Sequence, residues 1–144
     1  MTQTPTEKAN MATVRKFFEV GPSKGDLVAA DALLAPVFSL HVPLPVAGPG
    51  IDAINNVITT CRAAFHGLNV TIEDMIADGD KVTCRFTARG DHKGAFMGLP
   101  PTGKPIVMTG IEIFRLENGK IAELWGEANL MGLMVQLGIL PSST

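Results

Sequence analysis

Proton transfer, nucleophilic attack and metal binding need histidine, carboxylate or cysteine side chains, and this 144-residue chain spaces them in an informative way. Strand-like alternation puts Met108, Gly110, Glu112 and Phe114 on one face, leaving Glu112 a carboxylate among small and apolar neighbours. In an apolar pocket, desolvation would raise its pKa into the range of a general acid or base near neutral pH. On a sheet surface the same residue would be solvated or paired with an arginine. His41, in His41-Val42-Pro43-Leu44-Pro45, is an imidazole that can hold water or accept a proton; it can equally satisfy hydrogen bonds at a strand end. Ser39, two residues earlier, shares its face. Thr83, Arg85, Thr87 and Arg89 alternate with Val82, Cys84, Phe86 and Ala88, so one face is polar and the other apolar.

Other site classes are absent from the sequence. The histidines at 41, 66 and 92 are scattered, and Cys61 and Cys84 have no metal-ligand or disulfide spacing, so no metal site is expected. There is no P-loop, no G-x-S-x-G and no glycine-rich dinucleotide fingerprint, and no cofactor is expected. The chain has no tyrosine, which excludes a tyrosine oxyanion site.

The elements that position these residues follow from periodicity. Residues 1–8 are polar and read as loosely ordered. Apolar spacing from Met11 through Val14, Phe17 and Phe18 predicts a helix ended by Gly21-Pro22, and Asp26 to Leu34 a short second helix stopped by Pro36. Val37 to Leu44 alternates as a strand closed by Pro43 and Pro45. Ile51, Ile54, Ile58, Cys61 and Phe65 form the stripe of a third helix, with His66 as a C-terminal cap. Strands are then predicted over 68–77, 81–89, 106–116 and 120–128, with turns at Asp78-Gly79-Asp80 and Asn118-Gly119. Leu130, Leu133, Met134 and Leu137 trace a last helix. Trp125 and Glu127 alternate away from Gly126 to the other face of the last strand. Helices grouped against an antiparallel sheet make an α+β fold, and the length predicts one domain over 1–144.

Composition bounds the partners. Apolar residues are 46% and charged residues 18%, enough to bury a core. The net charge of −2, without a basic block, argues against a nucleic-acid or anionic-membrane partner. No apolar run reaches the ~20 residues that span a bilayer, and the N-terminus lacks a signal-peptide pattern, so a cytoplasmic location is expected.

Gly90-Asp91-His92-Lys93-Gly94, Met97-Gly98-Leu99-Pro100-Pro101-Thr102-Gly103, Phe114-Arg115 with Gly119-Lys120-Ile121, Glu123-Leu124-Trp125 and Gln136-Leu137-Gly138 follow one another in order and spacing. Together they resemble the SnoaL-like polyketide cyclase (ester cyclase) family, with its G-T-H-x-G, G-x-P-P-T-G, F-R-x-x-x-G-K-I, E-H-W-D and Q-L-G pattern, over about Val14 to Leu140. The resemblance implies the cone-shaped α+β barrel of the nuclear transport factor 2 (NTF2)-like superfamily. There a curved, mostly antiparallel sheet and helices enclose an apolar pocket, and the outer sheet face often dimerises, so a homodimer or higher homo-oligomer is expected.

It also implies roles by position. The family's acid/base aspartate falls on Gly126, and a second aspartate on Asn129, so both carboxylates are missing. Arg85 matches a pocket arginine of the epoxide hydrolases of this fold, and Glu112 a pocket histidine of the founding cyclases. Thr87 replaces a further epoxide-hydrolase carboxylate. Glu112, His41 and Arg85 are the catalytic candidates. Asn129, Gly126, Ser39, Thr87, Met108, Phe114 and His92 are the substrate-binding ones, with His92 also readable as a loop-pinning residue and Asn129 as a helix cap. The implied activity is aldol-type cyclisation of a polycyclic aromatic polyketide by acid/base catalysis. The alternatives are a cofactor-independent hydroxylase of such a molecule, favoured by the lost aspartate, and a non-catalytic small-molecule binding module.

Overall fold

The computed structural model describes residues 2–44 and 48–141. Helix α1, Pro5–Val20, starts at a capping box: the Thr4 hydroxyl accepts from the Glu7 amide at 3.1 Å, and the Glu7 carboxylate from the Thr4 amide at 2.8 Å. Glu7 also accepts from the Gly79 amide at 2.8 Å, fastening the helix start to a hairpin turn. The expected loose order of residues 1–8 is thus corrected from Pro5 onward, where these caps begin the helix earlier than its apolar stripe does.

Helix α2 is Leu27–Asp31, followed by β1, Leu34–His41, and α3, Gly50–Ala64. Strands β2 (Phe65–Asp78), β3 (Lys81–His92), β4 (Pro105–Glu117) and β5 (Lys120–Ala128) then lead to α4, Leu130–Gln136. The sheet runs β1-β5-β4-β3-β2 and is antiparallel except for β1, which pairs parallel to β5. The α+β class is as expected. Strand β1 begins three residues earlier than its alternation suggested, because Pro36 sits inside an edge strand rather than stopping a helix. An edge strand tolerates the missing N–H, and the register shifts between Leu34 and Ser39. Pro45 lies outside the described residues. Phe65 and His66 open β2 instead of ending α3, and His66 pairs with Asp91 rather than capping a helix. Asn118 and Gly119 have φ of 51° and 77°, both positive as a type I′ hairpin requires.

One face of the sheet carries the core. In β4 the inward residues Ile106, Gly110, Phe114 and Leu116 are buried, whereas Val107, Ile111 and Ile113 are exposed. Helix α1 lays Val14, Phe17 and Phe18 on this face. Phe114 meets Phe18 and Phe17 edge-on, with ring centroids 5.6 and 6.1 Å apart, the arrangement aromatic quadrupoles favour. This cluster fills one end of the sheet's inner face and leaves space beside it, under α3.

Candidate functional site

A cavity of about 130 Å³ lies between the inner sheet face, α1, α3 and the segment Val42-Pro43-Leu44. Helix α3 contributes Ile54, Val57, Ile58 and Cys61 from its apolar stripe, and β3 and β4 contribute Phe86, Ala88, Ile106 and Met108. Glycine shapes the wall: a side chain on Gly110 would lie 2.6 Å from Cε1 of Phe86, so its absence lets that ring lie across β4. Among the described residues, no lysine, arginine or histidine lines the cavity. The polar side chains that border it are Cys61, Glu112 and Glu127. Glu127 is exposed and pairs in register with outward-facing Ile111, so its side chain belongs to the outer face.

Glu112 is the carboxyl turned inward. It is only partly shielded by surface area, yet that residual exposure is to the cavity it lines, and desolvation alone raises its pKa from 4.5 to about 8. Among the described residues, the cavity wall offers it no cationic partner. Across the strand pair Glu112 is in register with Gly126, and an ideal Cβ on Gly126 would lie 2.9 Å from Oε2 of Glu112. At neutral pH the carboxyl is therefore mostly protonated. It can donate a hydrogen bond to a ligand oxygen, and it can exchange a proton with a ligand near pH 8. Both thiols are poor nucleophiles. Burial first, and the Glu112 charge second, push Cys61 up to about 11 and Cys84 up to about 12.

The structure gathers Glu112, Met108 and Gly126 at the cavity and places the other expected site residues elsewhere. Arg85 points to the outer face, where its Nε and Nη2 donate to Oδ2 of Asp74 at 2.9 and 2.7 Å. Thr87, though buried, also alternates outward, in register with Thr71 and Thr109. The expected pocket placement of both is corrected: Val82, Cys84, Phe86 and Ala88 take the inner face of β3, and period-two alternation sends their neighbours out.

His41 and Ser39 are corrected in the same way, because Phe38 takes the inner face of β1. The His41 Nε2 lies 2.7 Å from Oε2 of Glu123, and its ring stacks on Trp125 at 5.5 Å and 16°. Glu123 also accepts from Nε of Arg115 at 3.2 Å. The hydrogen bond with His41, ahead of the hydrogen bond and charge of Arg115, holds the Glu123 carboxyl below its usual range.

Three more candidates are structural. Phe114 is fully buried in the aromatic cluster, behind the cavity wall. Asn129 caps α4, its Oδ1 accepting from the Gly132 amide at 2.9 Å. His92 is fully buried, and its Nδ1 accepts from the Thr102 amide at 3.2 Å, pinning the loop that follows β3. Its ring packs on Phe65, itself part of the cavity wall. Sequence reasoning missed the roles of Gly110 and of Val42 to Leu44. A glycine in the middle of a strand pattern was the available signal for the first.

The profile of the SnoaL-like polyketide cyclase family matches residues 12–137. No curated protein matches the sequence. Among solved structures, a candidate SnoaL-like polyketide cyclase from Jannaschia sp. CCS1 superposes with a TM-score of 0.87 at 24% identity, covering 98% of this chain and 99% of that one. IdmH, a candidate polyketide cyclase from Streptomyces antibioticus, is 32% identical with a TM-score of 0.78, covering 90% and 98%. AclR, a candidate hydroxylase from Streptomyces galilaeus, is 24% identical with a TM-score of 0.84, covering 96% and 86%. The fold is the NTF2-like one that the sequence motifs led us to expect.

Proposed function

The chain belongs to the SnoaL-like polyketide cyclase family, and from that premise we propose that it closes a ring in a flat, apolar, polyketide-derived molecule, with Glu112 as its acid/base. The observation that carries this reading is the inward carboxyl of Glu112 on an otherwise apolar wall, opposite Gly126 in the β4–β5 ladder. In an aldol closure the ionised carboxyl takes a proton from a carbon flanked by carbonyls. The new carbon–carbon bond then forms, and the protonated carboxyl returns its proton to the developing alkoxide. One group serves both steps, which suits a pKa of about 8. Arg85 and His41 lie outside the cavity, so neither is assigned a part in the closure.

The test is mass spectrometry of anthraquinone-type precursors incubated in air and under argon with a reductant. An isomer of unchanged mass in both atmospheres, lost in Glu112→Gln, supports the cyclase. A second reading, cofactor-independent hydroxylation, is favoured by Gly126, which the family resemblance aligns with the cyclases' aspartate. There Glu112 would deprotonate a hydroquinone that reacts with oxygen, one atom entering the product and the other leaving as water at the reductant's expense. Gain of one oxygen only in air would select it. Binding without conversion would make the protein a carrier.

The outer sheet face carries an in-register row, Ile76, Thr83, Ile113, Trp125 and His41, with exposed Ile111 and Val107 nearby. A second copy of the chain is the proposed cover for this face. Light scattering that gives a monomer mass would refute it.

A further inference from the structure

Gly126 has no backbone reason to be glycine. It is not among the glycines with positive φ, it lies inside β5, and a glycine there weakens the strand relative to alanine. What its missing side chain leaves is space, and Glu112 fills it. A Cβ on residue 126 would come within 2.9 Å of Oε2 and 3.5 Å of Cγ of Glu112, and within 3.2 Å of Cγ1 of Val42. The two residues are opposite one another in the β4–β5 ladder, where directly paired Cβ atoms stand ~4.5–5.5 Å apart. A carboxylate rooted at either position therefore reaches the same part of the cavity.

We infer that Gly126 is the positioning residue of this site: it opens the berth that holds the Glu112 carboxyl against β5, and that berth accepts one carboxylate supplied from either strand. The inference rests on the reading of Glu112 as the working group of the cavity and states what fixes its place. Two consequences follow from the geometry. A methyl group at 126 meets the far end of the flexible Glu112 side chain most closely and a Val42 methyl next, with no backbone atom among its near contacts, so Gly126→Ala should fold with its glutamate displaced. Moving the carboxyl across the ladder, in Glu112→Ala/Gly126→Asp, restores an acid to the same apolar surroundings.

The experiment is a carbon-13 NMR titration of side-chain carboxyls in the full chain, without ligand. The wild type should show one glutamate titrating far above the others, absent in Glu112→Gln. In Gly126→Ala that midpoint should move by about one pH unit or more, a tenfold change in proton affinity. In the exchanged variant one aspartate should titrate well above the ordinary aspartate range. An unmoved midpoint in Gly126→Ala, or an aspartate at 126 that titrates like a solvent-exposed one, overturns the inference. Gly126→Ala decides alone if the exchanged variant does not fold. The outcome is separable from the proposed activity. Titrations as expected with no conversion of any substrate would remove the enzymatic reading and leave the berth, whereas an unmoved midpoint with intact cyclisation would do the reverse.

Discussion

Glu112→Gln removes the charge of the cavity carboxyl while nearly preserving its shape, and the structure sets the size of the effect. The folded-state pKa is raised from 4.5 to about 8, so between those values the folded chain holds a proton that the unfolded chain has lost. Stability from this group is then fully present below pH 4.5 and is lost as pH rises through about 8. At about 1.36 kcal/mol per pH unit, the whole change is close to 5 kcal/mol, of which about three quarters falls between pH 5 and pH 8. That is large against the ~5–15 kcal/mol that holds a domain together. Urea denaturation of both proteins at a series of pH values isolates the term, because every other titrating group is common to the two. The stability of Glu112→Gln relative to wild type should rise steadily with pH over this range. A difference that stays flat with pH would mean that the carboxyl is solvated, and the argument for a proton carrier of shifted pKa would fail with it.

Other perturbations probe the frame around the site. Gly110→Ala drives a methyl to 2.6 Å from Cε1 of Phe86 and 2.7 Å from the Glu127 carbonyl oxygen, and should cost about 1–3 kcal/mol in chemical denaturation. Asn129→Ala removes the α4 cap and should cost about 1 kcal/mol, with the loss of amide protection confined to that helix. His41→Ala should return the Glu123 carboxyl toward its ordinary pKa in an NMR titration and leave ligand binding in the cavity unchanged. Cys61 should resist alkylation at mildly alkaline pH in the folded chain, because burial holds its thiol protonated up to about 11; rapid labelling there would contradict that burial.

Much of the frame could be read along the chain. Alternation and the Asn118-Gly119 turn located the later strands, and the stripe of Ile54, Ile58 and Cys61 marked the helix that roofs the cavity. The parallel pairing of β1 with β5 could not be read, because it joins segments about 85 residues apart and depends on sheet curvature. Helix α1 began early for a local reason that hydrophobic spacing does not register, the hydrogen bonds of Thr4 and Glu7.

The site divides along the same line. Period-two alternation determined by itself that Met108 and Glu112 share one face, and that Arg85 and Thr87 lie opposite Cys84 and Phe86. Motif order determined the family. Alternation carries no sign, however: it says which residues go together, not whether their face turns inward. Only the folded sheet, with α1 and α3 closing over one side, decided that Glu112 enters the cavity while His41 and Arg85 face away from it. The opposition of Glu112 and Gly126, fourteen residues apart, was likewise set by the β4–β5 register, since a shift of one residue would have moved the carboxyl off that glycine and onto the outer face.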